Sequence, residues 1–133
     1  MRPPRDGRAS TERGSAAVEF ALVMPLVFVV TLGLVQVGLL VRDRSLVEAA
    51  ARAGARAAAL QPDDAAARDA AVNAAVGIDG SALAVAVTRG PGRGAPVTVE
   101  VTYDDPVRVP FVGWLVGTSV RLDATAVMRQ EFG

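Results

Sequence analysis

No charged side chain appears in residues 20–41, and that uninterrupted run limits what the chain can fold into more than any other feature. It reads FALVMPLVFVVTLGLVQVGLLV, with Thr31 and Gln36 as its polar members. A helix needs about 20 apolar residues to cross the hydrocarbon of a bilayer, and this run supplies about 22. A buried helix of a small soluble domain shows a polar face at 3.6-residue spacing, which this run lacks. The expectation is therefore a membrane helix. A cleaved signal sequence is the main competitor, but its apolar region usually spans about 7–15 residues and ends at a small-residue cleavage site. Here Arg42, Asp43 and Arg44 follow the run directly, and the nearest small-residue stretch, 48–55, lies beyond them. Permanent anchoring is the better reading.

Charge says little about orientation. Arg2, Arg5, Arg8 and Arg13 precede the run, and Arg42, Arg44, Arg52 and Arg56 follow it. Basic residues near the ends of a span favour the cytoplasmic side, and here they nearly balance. The amino terminus tips the balance slightly toward a cytoplasmic N-terminus.

The rest of the composition works by exclusion. The chain has 133 residues, enough for one small domain, with 14 basic and 14 acidic side chains. A balanced charge gives no electrostatic footprint for nucleic acid. There is no Cys, so disulfides, thiolate metal sites and thiol nucleophiles are excluded. His and Lys are absent too, which removes the commonest general base and any Ser–Lys arrangement. No enzyme, cofactor or metal site is expected.

Residues 1–13 are polar, with Pro3, Pro4 and Gly7, and are read as a disordered leader. Past the apolar run, residues 45–60 are Ala-rich and helix-forming, with Glu48 and Arg52 a well-oriented i,i+4 pair. Leu46, Ala49, Ala50, Ala53, Ala57 and Leu60 form the expected apolar stripe. Span and stem read as one helix of about 45 residues, roughly 70 Å long. Gln61 and Pro62 end it. Asp63 and Asp64 then suit the start of a short helix over 65–76, closed by Gly77 and Gly80.

The period then changes from helix to strand. Leu83, Val85 and Val87 alternate with smaller residues; Val97, Val99, Val101 and Tyr103 alternate with Thr98, Glu100 and Thr102. Val120, Leu122, Ala124, Ala126 and Met128 repeat the pattern. Residues 89–94, RGPGRG, form a glycine-rich turn between the first two strands and not a phosphate loop, having no Lys-Ser/Thr after them. A sheet of about three strands without disulfides needs a cover for its apolar face, and the Ala stripe is the candidate. The fold class expected is α+β: a long N-terminal transmembrane helix continuing into an Ala-rich stem, a short second helix and a small antiparallel sheet, as in a pilin. Domain limits are 1–14 leader, 15–41 transmembrane helix, and 42–133 stem and small domain.

Glu19 is the residue that needs explaining. A carboxylate in mid-membrane costs about 2.5–3.5 kcal/mol and less near the interface. It either rests among headgroups or pairs with a cation brought by another subunit. Gln36 is able to hydrogen-bond a partner helix, a small gain on the order of 0.6 kcal/mol. Asp104, Asp105 and Pro106 read as a solvated turn. Phe111, Trp114 and Leu115 are expected in the core, with a dip into the bilayer or a subunit contact as alternatives.

The order Gly14-Ser-Ala-Ala-Val-Glu-Phe-Ala-Leu-Val-Met-Pro25, then the span, then the Ala-Arg-Ala-Gly-Ala-Arg block of 51–56, resembles the TadE-like minor pilins, or pseudopilins, of the tight-adherence (Flp) pilus system. The resemblance covers about residues 13–60. It implies cutting by a prepilin peptidase between Gly14 and Ser15 on the cytoplasmic side of the membrane. Glu19 then stands fifth in the mature chain, where it can neutralise a neighbouring subunit's new amino terminus. Phe20 and Pro25 complete the motif; Pro25 either bends the helix for assembly or is simply tolerated there. Ser15 departs from the aromatic residue that other pilins carry first. The implied partners are prepilin peptidase, other pilin-like subunits, the Flp/Tad secretion machinery and membrane lipid, with the C-terminal domain extracytoplasmic. The alternative is an unprocessed single-span accessory or scaffold protein of a secretion complex. A third class, a small enzyme or binding domain released by signal peptidase, is disfavoured by the missing His, Cys and Lys.

Overall fold

The computed structural model describes residues 7–109 and 113–132, with side chains for 14–109, 113–114 and 117–132. Its first element, α1 (Gly7–Leu60), is a single helix of 54 residues that passes through Pro25 without ending. At 1.5 Å per residue it is roughly 80 Å long. It starts inside the stretch expected to be irregular: residues 7–13 continue the helix, while 1–6 lie outside the described residues. Arg8, Ala9, Glu12 and Arg13 are good helix formers, and the prolines at 3 and 4 stand upstream of them.

The hydroxyls of Thr31 and Ser45 are satisfied within α1 itself. Thr31 Oγ1 donates to the Val27 carbonyl at 2.7 Å, and Ser45 Oγ to that of Val41 at 3.0 Å. Such bonds to the preceding turn let a hydroxyl sit in an apolar setting without a partner helix. The Gln61 amide closes the last turn on Ala57 at 2.9 Å, and Pro62 stops propagation. Asp63 then caps α2 (Asp64–Ala74), its carboxylate accepting from the Ala65 amide at 2.9 Å. The expected second helix is thus present but ends two residues early, at Ala74 rather than Val76.

Three strands follow: β1 (Leu83–Arg89), β2 (Pro96–Pro106) and β3 (Ser119–Arg129), in the order β1-β2-β3 and antiparallel throughout. The turn between β1 and β2 places Gly92 and Gly94 at φ 85° and 80°, where other residues would be strained. The register pairs Val85 with Val101, Val101 with Ala124, and Tyr103 with Leu122. Strand periodicity turns Val97, Val99, Val101 and Tyr103 inward, and all are buried. A short helix, α3 (Gly113–Val116), lies in the connection between β2 and β3.

The sheet and α2 close on the C-terminal half of α1, as expected of its small side chains. The face they cover differs from the expected one. Val47, Ala50, Ala51, Ala55, Ala58 and Ala59 are buried, whereas of the predicted stripe Ala50 alone is fully buried and Leu60 is exposed. With Ala on every side of the stem, hydrophobicity does not distinguish one face from another. Close approach does: a Cβ on Gly54 would meet the Ala67 carbonyl oxygen and Val99 Cγ1, each at 3.1 Å. Gly54 therefore marks where α1, α2 and β2 come together. Arg89 ties the same end, bonding Asp64 Oδ1 through Nη2 at 2.8 Å and Nε at 3.1 Å, and donating to the Ala58 carbonyl near the end of α1. The Glu131 amide takes up the next carbonyl, Ala59, at 2.9 Å. Orphan acceptors of the last helical turn are thus filled from the sheet.

Candidate functional site

Two regions carry features that packing alone does not require. The first is the bare part of α1. From residue 14 to residue 35 no side chain is buried, and the large apolar ones, among them Phe20, Leu22, Leu26 and Phe28, face outward. An 18-residue window there reaches a mean hydropathy of 2.4, so the helix is long and apolar enough to cross a membrane. Gly14, Ser15, Glu19, Phe20 and Pro25 all lie on this segment and are exposed. They are strung over roughly 17 Å of helix rather than gathered in a pocket. Ser15 and Glu19 are one turn apart and share a face, while Phe20 stands about 100° round from Glu19. At Pro25 the missing amide leaves the Ala21 carbonyl without its helical donor.

The second region sits where the sheet first meets the helix, and sequence reasoning missed it. Asp43, next to the apolar run, is 0 % exposed, and Asp105 is 1 % exposed. Arg108 reaches between them, with Nη1 2.7 Å from Asp43 Oδ2 and Nη2 3.2 Å from Asp105 Oδ1. Arg42 Nη1 closes the other side of Asp43, 3.0 Å from Oδ1. The Arg108 contacts are ion pairs without good hydrogen-bond alignment, so Asp43 Oδ2 and both Asp105 oxygens lack a hydrogen-bond partner. Burial pushes the Asp105 carboxyl above the usual carboxylate range; the neighbouring Asp43 adds to the rise and Arg108 opposes it.

Asp105 corrects the expectation of a solvated turn. Strand β2 runs on through Asp104 and Asp105, so the inward alternation of 97, 99, 101 and 103 takes Asp105 into the interior. Asp104 stays outside, 3.5 Å from Arg121. Asp43 lies one turn before Val47 on the buried face of α1. The available signal was the strand period carried two residues further, together with a cation three residues beyond Asp105.

Gln36 is a second correction. It is 7 % exposed, and its Oε1 accepts from the Val109 amide at 3.1 Å. Its partner is thus this chain's own backbone rather than another helix. Trp114 is a third: it is 88 % exposed and contributes nothing to the core. Phe111 falls outside the described residues, as does the side chain of Leu115. Glu48 makes the expected pair with Arg52 at 3.8 Å and another with Arg44 at 3.4 Å, both exposed and worth little. Among the described residues no three His, Cys, Asp or Glu side chains are grouped to hold a metal.

No curated protein and no solved structure matches the chain. One family model does: residues 14–56, from the glycine before the bare helix to the middle of the stem, match the family described as TadE-like protein. Over these residues, which make up the bare helix and most of the stem, the chain is similar to TadE-like proteins.

Proposed function

We propose that the chain is a minor pilin or pseudopilin, a non-catalytic subunit that assembles Flp-type pili from the cytoplasmic membrane. The observation that carries this reading is a long apolar helix bare from residue 14 to residue 35, with the lone carboxylate Glu19 at its inner end. In this reading the N-terminus is cytoplasmic and the C-terminal domain extracytoplasmic. Prepilin peptidase cuts between Gly14 and Ser15. The new ammonium group of one subunit then meets Glu19 of another as the apolar helices pack side by side. At about 4 Å and an effective dielectric of about 20, such a pair has a gross attraction of about 4 kcal/mol. That is enough to set which helices align. Pilin-like subunits, the Flp/Tad machinery and lipid are the partners; neither cofactor nor nucleic acid takes part.

Glu19→Ala is expected to leave membrane insertion intact and to lower pilus yield at least about tenfold, since each 1.4 kcal/mol lost from a contact is a factor of ten. Counting pili by electron microscopy against membrane-fraction immunoblots checks it. Pili in normal number would remove Glu19 from assembly. The competing reading, an unprocessed accessory protein, draws support from α1 running unbroken through Gly14 and Ser15. Intact-mass measurement of the native protein separates the two: a chain beginning at Ser15 supports the pilin, and one retaining residues 1–14 supports the accessory protein.

A further inference from the structure

We propose that Trp114, in the connection between β2 and β3, enters the outer leaflet beside α1, giving the C-terminal domain a second hold on the same bilayer. This rests on the reading of α1 as a membrane span. Depth is the first argument. Strand β2 runs antiparallel to α1, with Val99 beside Gly54, Arg108 at Asp43 and Val109 at Gln36. The chain is thus carried toward the inner end of α1 as it leaves the sheet. Gln36 lies six residues before Arg42, the first charge after the apolar run, or roughly 9 Å along the helix. Away from the face that carries Gln36, Val37 and Val41 are exposed and extend the bare apolar surface past this level. A bilayer that covers Val37 and Val41 therefore also reaches the Val109 backbone.

The chemistry of the connection suits that depth. Residues 109–117 carry no charge. The one cation next to them, Arg108, turns back to Asp43 and Asp105, away from the lipid side. Non-helical backbone at membrane depth requires its polar groups to be satisfied by protein, and Gln36 does this for the Val109 amide. The Val107 amide bonds the Thr118 carbonyl, and the Gly117 amide that of Gly113, each at 2.9 Å. Trp114 then stands 88 % exposed just past the last strand pair, Pro106 with Ser119. An indole with an apolar body and one N–H donor is the side chain that favours the headgroup boundary. Arg42, Arg44 and Arg121 are exposed as well, each paired with a carboxylate of this chain.

Trp114 is the only tryptophan of the chain, so its emission reports this site without any substitution. The full chain is reconstituted, at low protein-to-lipid ratio, in phosphatidylcholine–phosphatidylglycerol vesicles. Parallel samples carry lipids brominated near the headgroup or near the terminal methyl. The expected result is emission shifted to the blue of free tryptophan, most of it lost with shallow bromolipid, little lost with deep bromolipid, and protection from aqueous iodide. Iodide quenching without bromolipid quenching, in protein that floats with the vesicles, overturns the insertion of Trp114 and leaves the α1 anchor standing. Blue-shifted emission insensitive to both quenchers also overturns it, placing the indole against protein. A chain that does not float with the vesicles defeats the anchor and this inference together.

Discussion

Arg108→Ala is expected to destabilise the C-terminal domain by about 3 kcal/mol at neutral pH, the low end of the range for breaking a buried ion pair. The low end applies because the Arg108 side chain is 35 % exposed, and because Arg42 still holds Asp43. Removing the guanidinium leaves Asp43 and Asp105 buried side by side, with three of their oxygens already short of hydrogen bonds. The loss should depend on pH. The folded carboxyl of Asp105 titrates above its unfolded value, so the folded state binds the extra proton. Its contribution is fully present below the unfolded carboxylate pKa of about 4 and is lost as pH rises through the raised folded value. Acidification from neutrality toward pH 4 should therefore stabilise this part of the domain, and more so in Arg108→Ala, where the opposing cation is gone. Asp105→Asn should abolish that dependence and unfold later than the parent chain at neutral pH. Urea unfolding in detergent micelles, followed by circular dichroism across this pH range, gives the comparison. An Arg108→Ala midpoint equal to the parent's, or a domain that loosens as pH falls toward 5, would contradict the electrostatic account.

Gly54→Leu is the second large effect. Its side chain would enter the point where α1, α2 and β2 meet, against the Ala67 carbonyl, Val99 Cγ1 and Ala71 Cβ, the last 3.4 Å from an ideal Cβ. One obstacle is backbone, which cannot rotate away as a side-chain tip can. Over-packing a filled interior costs about 1–3 kcal/mol, and this site should lie at the upper end, near 3 kcal/mol. Gly54→Ala is milder. It gains about 1 kcal/mol of helix propensity and loses a similar amount in contacts at 3.1 Å, leaving stability close to unchanged. Thermal unfolding of the two variants in the same detergent tests this ordering. A Leu variant as stable as the parent would mean that α2 and the sheet do not close tightly on the stem.

The elements were largely legible in the chain. An uncharged run, an Ala-rich continuation and three stretches of period-two alternation led to the long helix, the second helix and the antiparallel sheet. What escaped was the way they face one another. Helical periodicity is uninformative where nearly every stem residue is Ala, so the predicted stripe was rotated and shared only Ala50 with the fully buried face. Asp105 looked like a turn residue because it precedes Pro106, yet the proline closes β2 rather than excluding its neighbour from it. The partner of Gln36 is invisible in the sequence because the Val109 amide is 73 residues distant and belongs to the backbone. The motif residues Gly14, Ser15, Glu19, Phe20 and Pro25 were found from resemblance. The structure adds that they stand on the uncovered half of the helix.

Because α1 passes from the bare segment into the sheet-covered stem as one helix, there is no hinge between them. The domain is mounted on a drive shaft. A turn imposed at the inner end arrives at the sheet with the same angle, and a push along the axis arrives as the same displacement. What compliance there is belongs at Pro25, where the ladder lacks a donor and a helix bends most readily. In the proposed orientation, machinery gripping the N-terminal end of α1 steers the C-terminal domain mechanically, with no signal relayed through folding.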